Sequence, residues 1–235
     1  MRKIQLKQVL RNKRFVLFTI ILPIGWYIFF DQLQKGVSPS ILLGIAVFIG
    51  VIGNSLATFS KRIASDIGFY SFESRFTSYS VKNYLWDQSI VQLILNSLIF
   101  LAVLVVAVLG FHFPVTTSLL VQFFLLSLMG IYFSVIGFVL GVRVDAKTID
   151  TIGFPVIILA AMTIIPFDTL GASGGFMDLV GKLQRVFPGY YYTKLIQDLT
   201  EKQTIDPTQL ALFVAVFGLN LLFFYLLVPK GKMGN

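Results

Sequence analysis

The chain contains no cysteine, a single histidine and few charges: of its 235 residues only 13% are Asp, Glu, Lys or Arg, against about 25% in a soluble domain. Without cysteine, disulfides and thiolate metal sites are excluded, and the redox compartment cannot be read. With so little charge, a water-covered globule is excluded too. What remains is 56% hydrophobic, with a mean hydropathy of +0.83. The charges are gathered into short blocks that separate long uncharged runs, which is the pattern of an integral membrane protein.

Six apolar runs can be drawn: Phe15–Phe30, Ile41–Phe59, Ser89–Phe111, Ser118–Leu140, Thr151–Ile165 and Gln209–Val228. A bilayer core needs roughly 20 helical residues, so the second, third, fourth and sixth are comfortable. The first and fifth are short, and each holds a proline, Pro23 and Pro155. They are expected to borrow flanking residues or to kink. The first run has a basic start but no small-residue cleavage site after Phe30, so it is read as a retained span.

A second absence is charge within those runs: none of the six contains Asp, Glu, Lys or Arg. A proton-coupled carrier keeps an ionisable group near the midplane; a sodium-coupled one can use carbonyls, so the exclusion is weaker there. The only histidine, His112, sits in a short connection with no carboxylate nearby in sequence, so an ordinary surface role is expected. No G-x-x-x-x-G-K-[ST] phosphate loop occurs. Gly181-Lys182 and Gly231-Lys232 lack both the upstream glycine and the following Ser or Thr. The chain is therefore expected to be no enzyme and to bind no cofactor directly. A transporter of this kind needs a downhill gradient or a separate engine.

Lysine and arginine set the orientation. The segment before the first run carries six basic residues and no acidic one, and with both termini inside, the inner segments hold 14 of the 19 basic residues. Both ends are expected to face the cytoplasm of a multi-pass protein of the cell membrane. The net charge of +8 is thereby explained without nucleic acid. Residues 1–14 also suit an in-plane amphipathic helix, with Leu6, Val9 and Leu10 toward the interface and Lys3, Lys7 and Arg11 toward the headgroups of membrane lipid.

The polar uncharged residues within the runs are Asn54, Gln92, Asn96, Gln122 and Asn220. Their ordinary use is interhelical hydrogen bonding. Gln92 and Asn96 are four apart and share a helical face, which makes them the best candidates for a polar substrate path. Gly130, Ser134, Gly137 and Gly141 form a small-residue stripe that lets another helix approach closely. In the inner segment 60–88, Phe69, Phe72 and Phe76 fall at i, i+3 and i+7, giving an apolar stripe on a short amphipathic helix flanked by Asp66, Glu73 and Arg75. Such a helix can lie on lipid or meet a soluble partner. Near the last run, Pro188 and Gly189 make a corner, and Tyr190, Tyr191 and Tyr192 are expected to place their rings in the interface with hydroxyls toward water.

The order of these elements resembles the permease subunits of type-2 ABC transporters over nearly the whole chain. In that family the inner loop often reads as acidic residues, Gly-Thr, a leucine-rich turn and Pro-x-Ser-Arg. Here Asp66-Ile67-Gly68-Phe69 and Ser80-Val81-Lys82 take those places, with one acidic residue, phenylalanine for threonine and no proline. The family also tends to show a proline ending the fifth span, an outer hairpin, then Asn-Pro-x-x-Tyr. Here Pro166, the amphipathic F-M-D-L-V-G-K-L-Q-R-V-F and Phe187-Pro188-Gly189-Tyr190-Tyr191 follow in order.

The resemblance implies an all-α permease domain covering the whole chain, with six spans and an amphipathic N-terminal helix (1–14). It implies an inner coupling helix in 60–88 and an outer re-entrant helical segment in 166–208. It also implies a second permease subunit, identical or related, and two separate ATPase subunits carrying the ATP and Mg. Asp66, Gly68, Phe69, Phe72, Glu73, Arg75 and Phe76 would couple to the ATPase. The cargo expected from a charge-free interior is lipid-like molecules, drugs or amphipathic antimicrobial peptides. The rival class is a channel, assembly or immunity factor that needs no nucleotide.

Overall fold

A computed structural model describes residues 2–11, 16–33, 37–73, 76, 81–165, 167, 175–201 and 204–227. Among these the regular structure is helical. The elements are α1 (Arg2–Arg11), a π-helical stretch Leu17–Ile21 leading into α2 (Leu22–Leu33), and α3 (Pro39–Ile52). A second π-helical stretch, Gly53–Phe59, leads into α4 (Ser60–Glu73). Then come α5 (Val81–Phe111), α6 (Ser118–Arg143), α7 (Ala146–Met162), α8 (Gly175–Gln184), α9 (Pro188–Glu201) and α10 (Pro207–Leu226).

Among the described residues, four helical stretches are long and apolar enough to cross a membrane: Pro39–Gly68, Trp86–Phe111, Ser118–Arg143 and Pro207–Leu226. The protein is thus a multi-pass membrane protein. They correspond to the second, third, fourth and sixth apolar runs. Thr19–Leu33, in the first run, is a shorter apolar helix. The fifth run gives α7, a helix of 17 residues that carries Pro155 in its interior.

Pro39–Ile52 is the axis of the core. From Ile41 to Phe48 every residue is buried, packed among residues of α2, α5, α6, α7 and α9. Its tightest neighbours are read from its glycines. A Cβ at Gly50 would lie 2.6 Å from Pro23 Cγ and 2.7 Å from Ile99 Cγ2, and one at Gly44 would lie 2.8 Å from the Tyr192 hydroxyl. The short link 112–117 joins α5 to α6. Residue 112 itself adopts φ 53°, the left-handed conformation that commonly ends a helix, and Phe113 N donates to Ala107 O at 3.1 Å. His112 therefore terminates α5.

The end of the bundle opposite this link is stitched by polar contacts. Lys61 pairs with Asp150, Arg62 Nη1 donates to Gln88 Oε1 at 3.0 Å, and Arg143 Nε donates to Leu227 O at 2.7 Å. The last contact places a cation on the carbonyl end of α10, where the helix dipole favours it. At the same end α1 lies against α5: Val9 is buried with Val91 and Leu95. Val9 therefore meets protein rather than the lipid interface expected for it, whereas Leu10 is exposed.

Candidate functional site

Three places carry the residues singled out by sequence. The first is a cluster of uncharged polar side chains in the bundle interior. Asn54 and Ser55, in the π-helical stretch, and Gln92 and Asn96, on α5, are almost fully buried. Asn54 Nδ2 donates to Asn96 Oδ1 at 3.0 Å. Gln92 Nε2 donates to Ser55 Oγ at 3.2 Å and lies 3.4 Å from Asn96 Oδ1. The hydroxyls of Ser55 and Ser134 are 3.4 Å apart.

The small-residue stripe of α6 is the floor of this cluster. A Cβ at Gly130 would lie 2.6 Å from Asn96 Nδ2. A Cβ at Gly137 would strike the Ser55 carbonyl oxygen, and one at Gly141 the Ser60 carbonyl oxygen. The expectation of close helix approach is met there, and the helix that approaches is the one wound with i→i+5 bonds. Such stretches recur at functional sites. Three polar atoms of the cluster, Asn54 Oδ1, Gln92 Oε1 and Asn96 Nδ2, have no hydrogen-bond partner.

Beside the cluster lies a cavity of about 440 Å3, lined by Phe59, Trp86, Ser89, Leu93, Ile131, Ser134, Val135 and Phe138. Ser134 is shared between the two. Chemically the arrangement offers neutral donors and acceptors next to an apolar space, and no nucleophile–base pair. Among the described residues no group of His, Asp or Glu is placed to hold a metal ion.

The second place is the polar segment between the second and third apolar runs. The structure corrects the expected short, separate coupling helix. The helix that begins at Pro39 continues through the π-helical stretch and α4 to Glu73, and α5 begins at Val81, before the apolar part of its run. Asp66, Gly68, Phe69, Phe72 and Glu73 lie on α4. Phe76 falls beyond its end, in a turn, so it is not on the helix with Phe69 and Phe72. Its ring still packs against Phe72, with centroids 5.0 Å apart, and both are exposed, at 63% and 73% for Phe72 and Phe76. Arg75 lies outside the described residues.

The third place is the corner before α9. Gln184, buried at the end of α8, donates to Met162 O at 2.6 Å and to Ile165 O at 2.8 Å. Thr193 Oγ1 donates to Ile164 O at 3.0 Å. Gly189 is required by close approach: a Cβ there would lie 2.6 Å from Ile164 Cγ1 and 3.0 Å from Thr163 O. These contacts tie the corner to the carbonyl end of α7. Pro166, expected to end the fifth span, lies outside the described residues.

The tyrosine expectation is corrected here as well. Tyr191 and Tyr192 are buried. The Tyr192 ring packs edge-on against Phe48 at 4.5 Å, and its hydroxyl points toward Gly44, away from water. Only Tyr190 remains half-buried, with the charged ends of Arg185 and Lys194 at 5.9 and 5.8 Å from its ring centre. Tyr191 and Tyr192 are core residues because α9 packs along α10 and α3, which leaves one ring of the three toward the outside.

Sequence reasoning missed Ser55 and Arg185. The signal for Ser55 was its place beside Asn54 in an otherwise apolar run. Arg185 was passed over as one residue of the amphipathic stretch F-M-D-L-V-G-K-L-Q-R-V-F in the expected re-entrant segment.

No protein-family model matches the chain, and neither a curated protein nor a solved structure is significantly similar to it.

Proposed function

We propose that the chain is the membrane-spanning permease subunit of an ATP-driven exporter of the type-2 ABC kind. In this reading it moves amphipathic or lipid-like substrates with energy from separate ATPase subunits. The observation that carries the proposal is the length of the helix from Pro39 to Glu73. The stretch 39–60 already matches a hydrocarbon core of about 30 Å. The remaining turns, Ser60–Glu73, extend about 20 Å further at 1.5 Å per residue and end beside the exposed Phe72–Phe76 pair.

An exposed aromatic pair at the tip of a stiff stalk suits a protein contact. Because the stalk is continuous with a span, a push on its tip would move that span as a rigid body. Asn54 and Ser55 of the buried cluster lie on the same helix, and the cluster is next to the cavity, so such a movement would reach the most polar part of the interior.

The test is co-purification. The chain is expected to capture an ATPase subunit from its native membrane. Replacing Phe72 by Asp, together with charge reversal at Asp66 and Glu73, is expected to lower recovery of that ATPase at least tenfold while leaving the melting temperature of the spans unchanged. Undiminished capture would move the contact elsewhere. Uphill transport by the purified chain alone in liposomes would overturn the proposal and favour a protein that needs no ATPase.

A further inference from the structure

The corner between α8 and α9 brings a cation alongside the last helix. Val186 O accepts from Asn220 Nδ2 at 3.0 Å, and Asn220 Oδ1 lies 3.4 Å from the Tyr132 hydroxyl. Asn220 stands about 20 Å along α10 from Pro207 and about 9 Å from Leu226, and Tyr132 about 21 Å along α6 from Ser118. The backbone of Val186, next to Arg185, is thus held more than a turn and a half of helix from either end of α10. The uncharged runs of the sequence had suggested a charge-free interior, but the segment outside them folds back to supply a guanidinium.

That guanidinium is exposed, and so is Lys182, three residues before it in the last turn of α8. Neither forms an ion pair with a carboxylate among the described residues. The recorded contact of Arg185 is the Tyr190 ring. Helix capping does not occupy it, since the Leu183 and Gln184 carbonyls already accept from Val186 N at 3.1 Å and Phe187 N at 2.9 Å. Leu179, Leu183 and Val186 of the same segment are also exposed. A cation at this depth is costly unless an anion meets it. The six apolar runs of the chain contain no carboxylate to meet it.

We infer that Arg185, with Lys182, is a recognition point for the anionic group (phosphate or carboxylate) of an amphiphile whose alkyl chain lies along Leu179, Leu183 and Val186. The inference rests on the reading of the chain as a carrier of amphipathic molecules, and it names the charge of the cargo. Arginine suits the task because its planar fork takes two oxygens of a phosphate or carboxylate at once and remains charged at any working pH.

The experiment uses the full chain in phosphatidylcholine nanodiscs, with empty nanodiscs subtracted. The probes are dodecyl phosphate, dodecyl trimethylammonium and inorganic phosphate, followed by calorimetry. The wild type is expected to bind dodecyl phosphate at least tenfold more tightly than dodecyl trimethylammonium. Inorganic phosphate is expected to fail as a competitor, because it lacks the alkyl chain. Arg185→Gln should lose at least tenfold in affinity for dodecyl phosphate, and Arg185→Lys should lose less.

Equal binding of the two dodecyl probes by the wild type overturns the inference even if the glutamine variant does not fold. So does unchanged affinity in a folded Arg185→Gln protein, effective competition by inorganic phosphate, or efficient disulfide formation between two copies of Arg185→Cys. No ATPase takes part in these measurements. A failed ATPase capture therefore removes the exporter reading without touching this result, and a failed titration removes the anion site alone.

Discussion

The helices Pro39–Gly68 and Pro207–Leu226 are both apolar enough to cross a bilayer, yet protein covers 78% of the most apolar stretch of the first and 6% of that of the second. Hydropathy does not separate them. The difference lies in small and polar residues and what they touch. Gly44, Gly50, Asn54 and Ser55 of the first helix each meet a neighbour at packing or hydrogen-bond distance. In the second, Gly218 has open space where a Cβ would stand, and Leu219, Leu222, Phe223 and Leu226 are exposed. In lipid, apolar surface alone does not drive helices together, so close packing and hydrogen bonds decide which helix becomes the axis.

The sharpest way to break this comparison is the same substitution on both sides of it. Gly137→Leu drives a side chain into the Ser55 carbonyl, where backbone must yield, and is expected to cost about 3 kcal/mol or more. Gly218→Leu adds a side chain where there is room, and is expected to stay within about 0.5 kcal/mol. Thermal denaturation of the two purified variants in one detergent checks this. Equal tolerance would mean that α6 and the π-helical stretch are not packed as described.

A smaller effect is expected in the amide cluster. Asn96→Leu removes the acceptor for Asn54 and Gln92 and leaves their amides buried, at a cost of about 1–3 kcal/mol. Replacing Asn54 by Leu as well removes one of those stranded groups. The double variant is therefore expected to be more stable than the two single losses added together. A double-mutant cycle read by thermal denaturation gives the coupling. Strict additivity would show that the two amides do not act as a pair.

Much of this was legible from residues alone. The second, third, fourth and sixth apolar runs appear as helices of spanning length, and the stripe Gly130–Ser134–Gly137–Gly141 meets another helix as small residues at helical spacing should. Other features were hidden for physical reasons. No proline or glycine pattern announces that Gly53–Phe59 winds as a π-helix, so the inward packing of Ser55 beside Asn54 could not be read. Aromatic residues seek an interface only where the fold leaves them one, and Tyr192 instead fills space beside Gly44. The position of Arg185 depends on a long-range contact, Asn220 with Val186, that local hydropathy does not encode. The segment around Phe72 was read as amphipathic, but its continuity with the second span follows from the absence of any proline between Ser60 and Glu73.

Between the buried axis and the bare last helix lies α7, too short to be held by span length alone and anchored at its start by a cap. Asp145 Oδ1 accepts from the backbone N–H groups of Lys147 and Thr148, both at 3.0 Å, and Oδ2 accepts from the Thr148 hydroxyl at 2.6 Å. The hydroxyl foremost, then the Thr148 N–H, hold the carboxyl below its ordinary value. A depressed value means that this stabilisation is fully present above the unfolded-state pKa, about 3.9 for an aspartate, and is lost as the pH falls through the folded-state value. An asparagine at this position would also cap the helix but would not titrate. Asp145→Asn is therefore expected to melt slightly below the wild type at neutral pH, with the gap closing as the pH is taken below about 4. The group is exposed, so the effect should be the smallest of the series. Melting curves collected across that range check the sign: a gap that widens toward acid would mean that the aspartate is not held in its charged form at the head of α7.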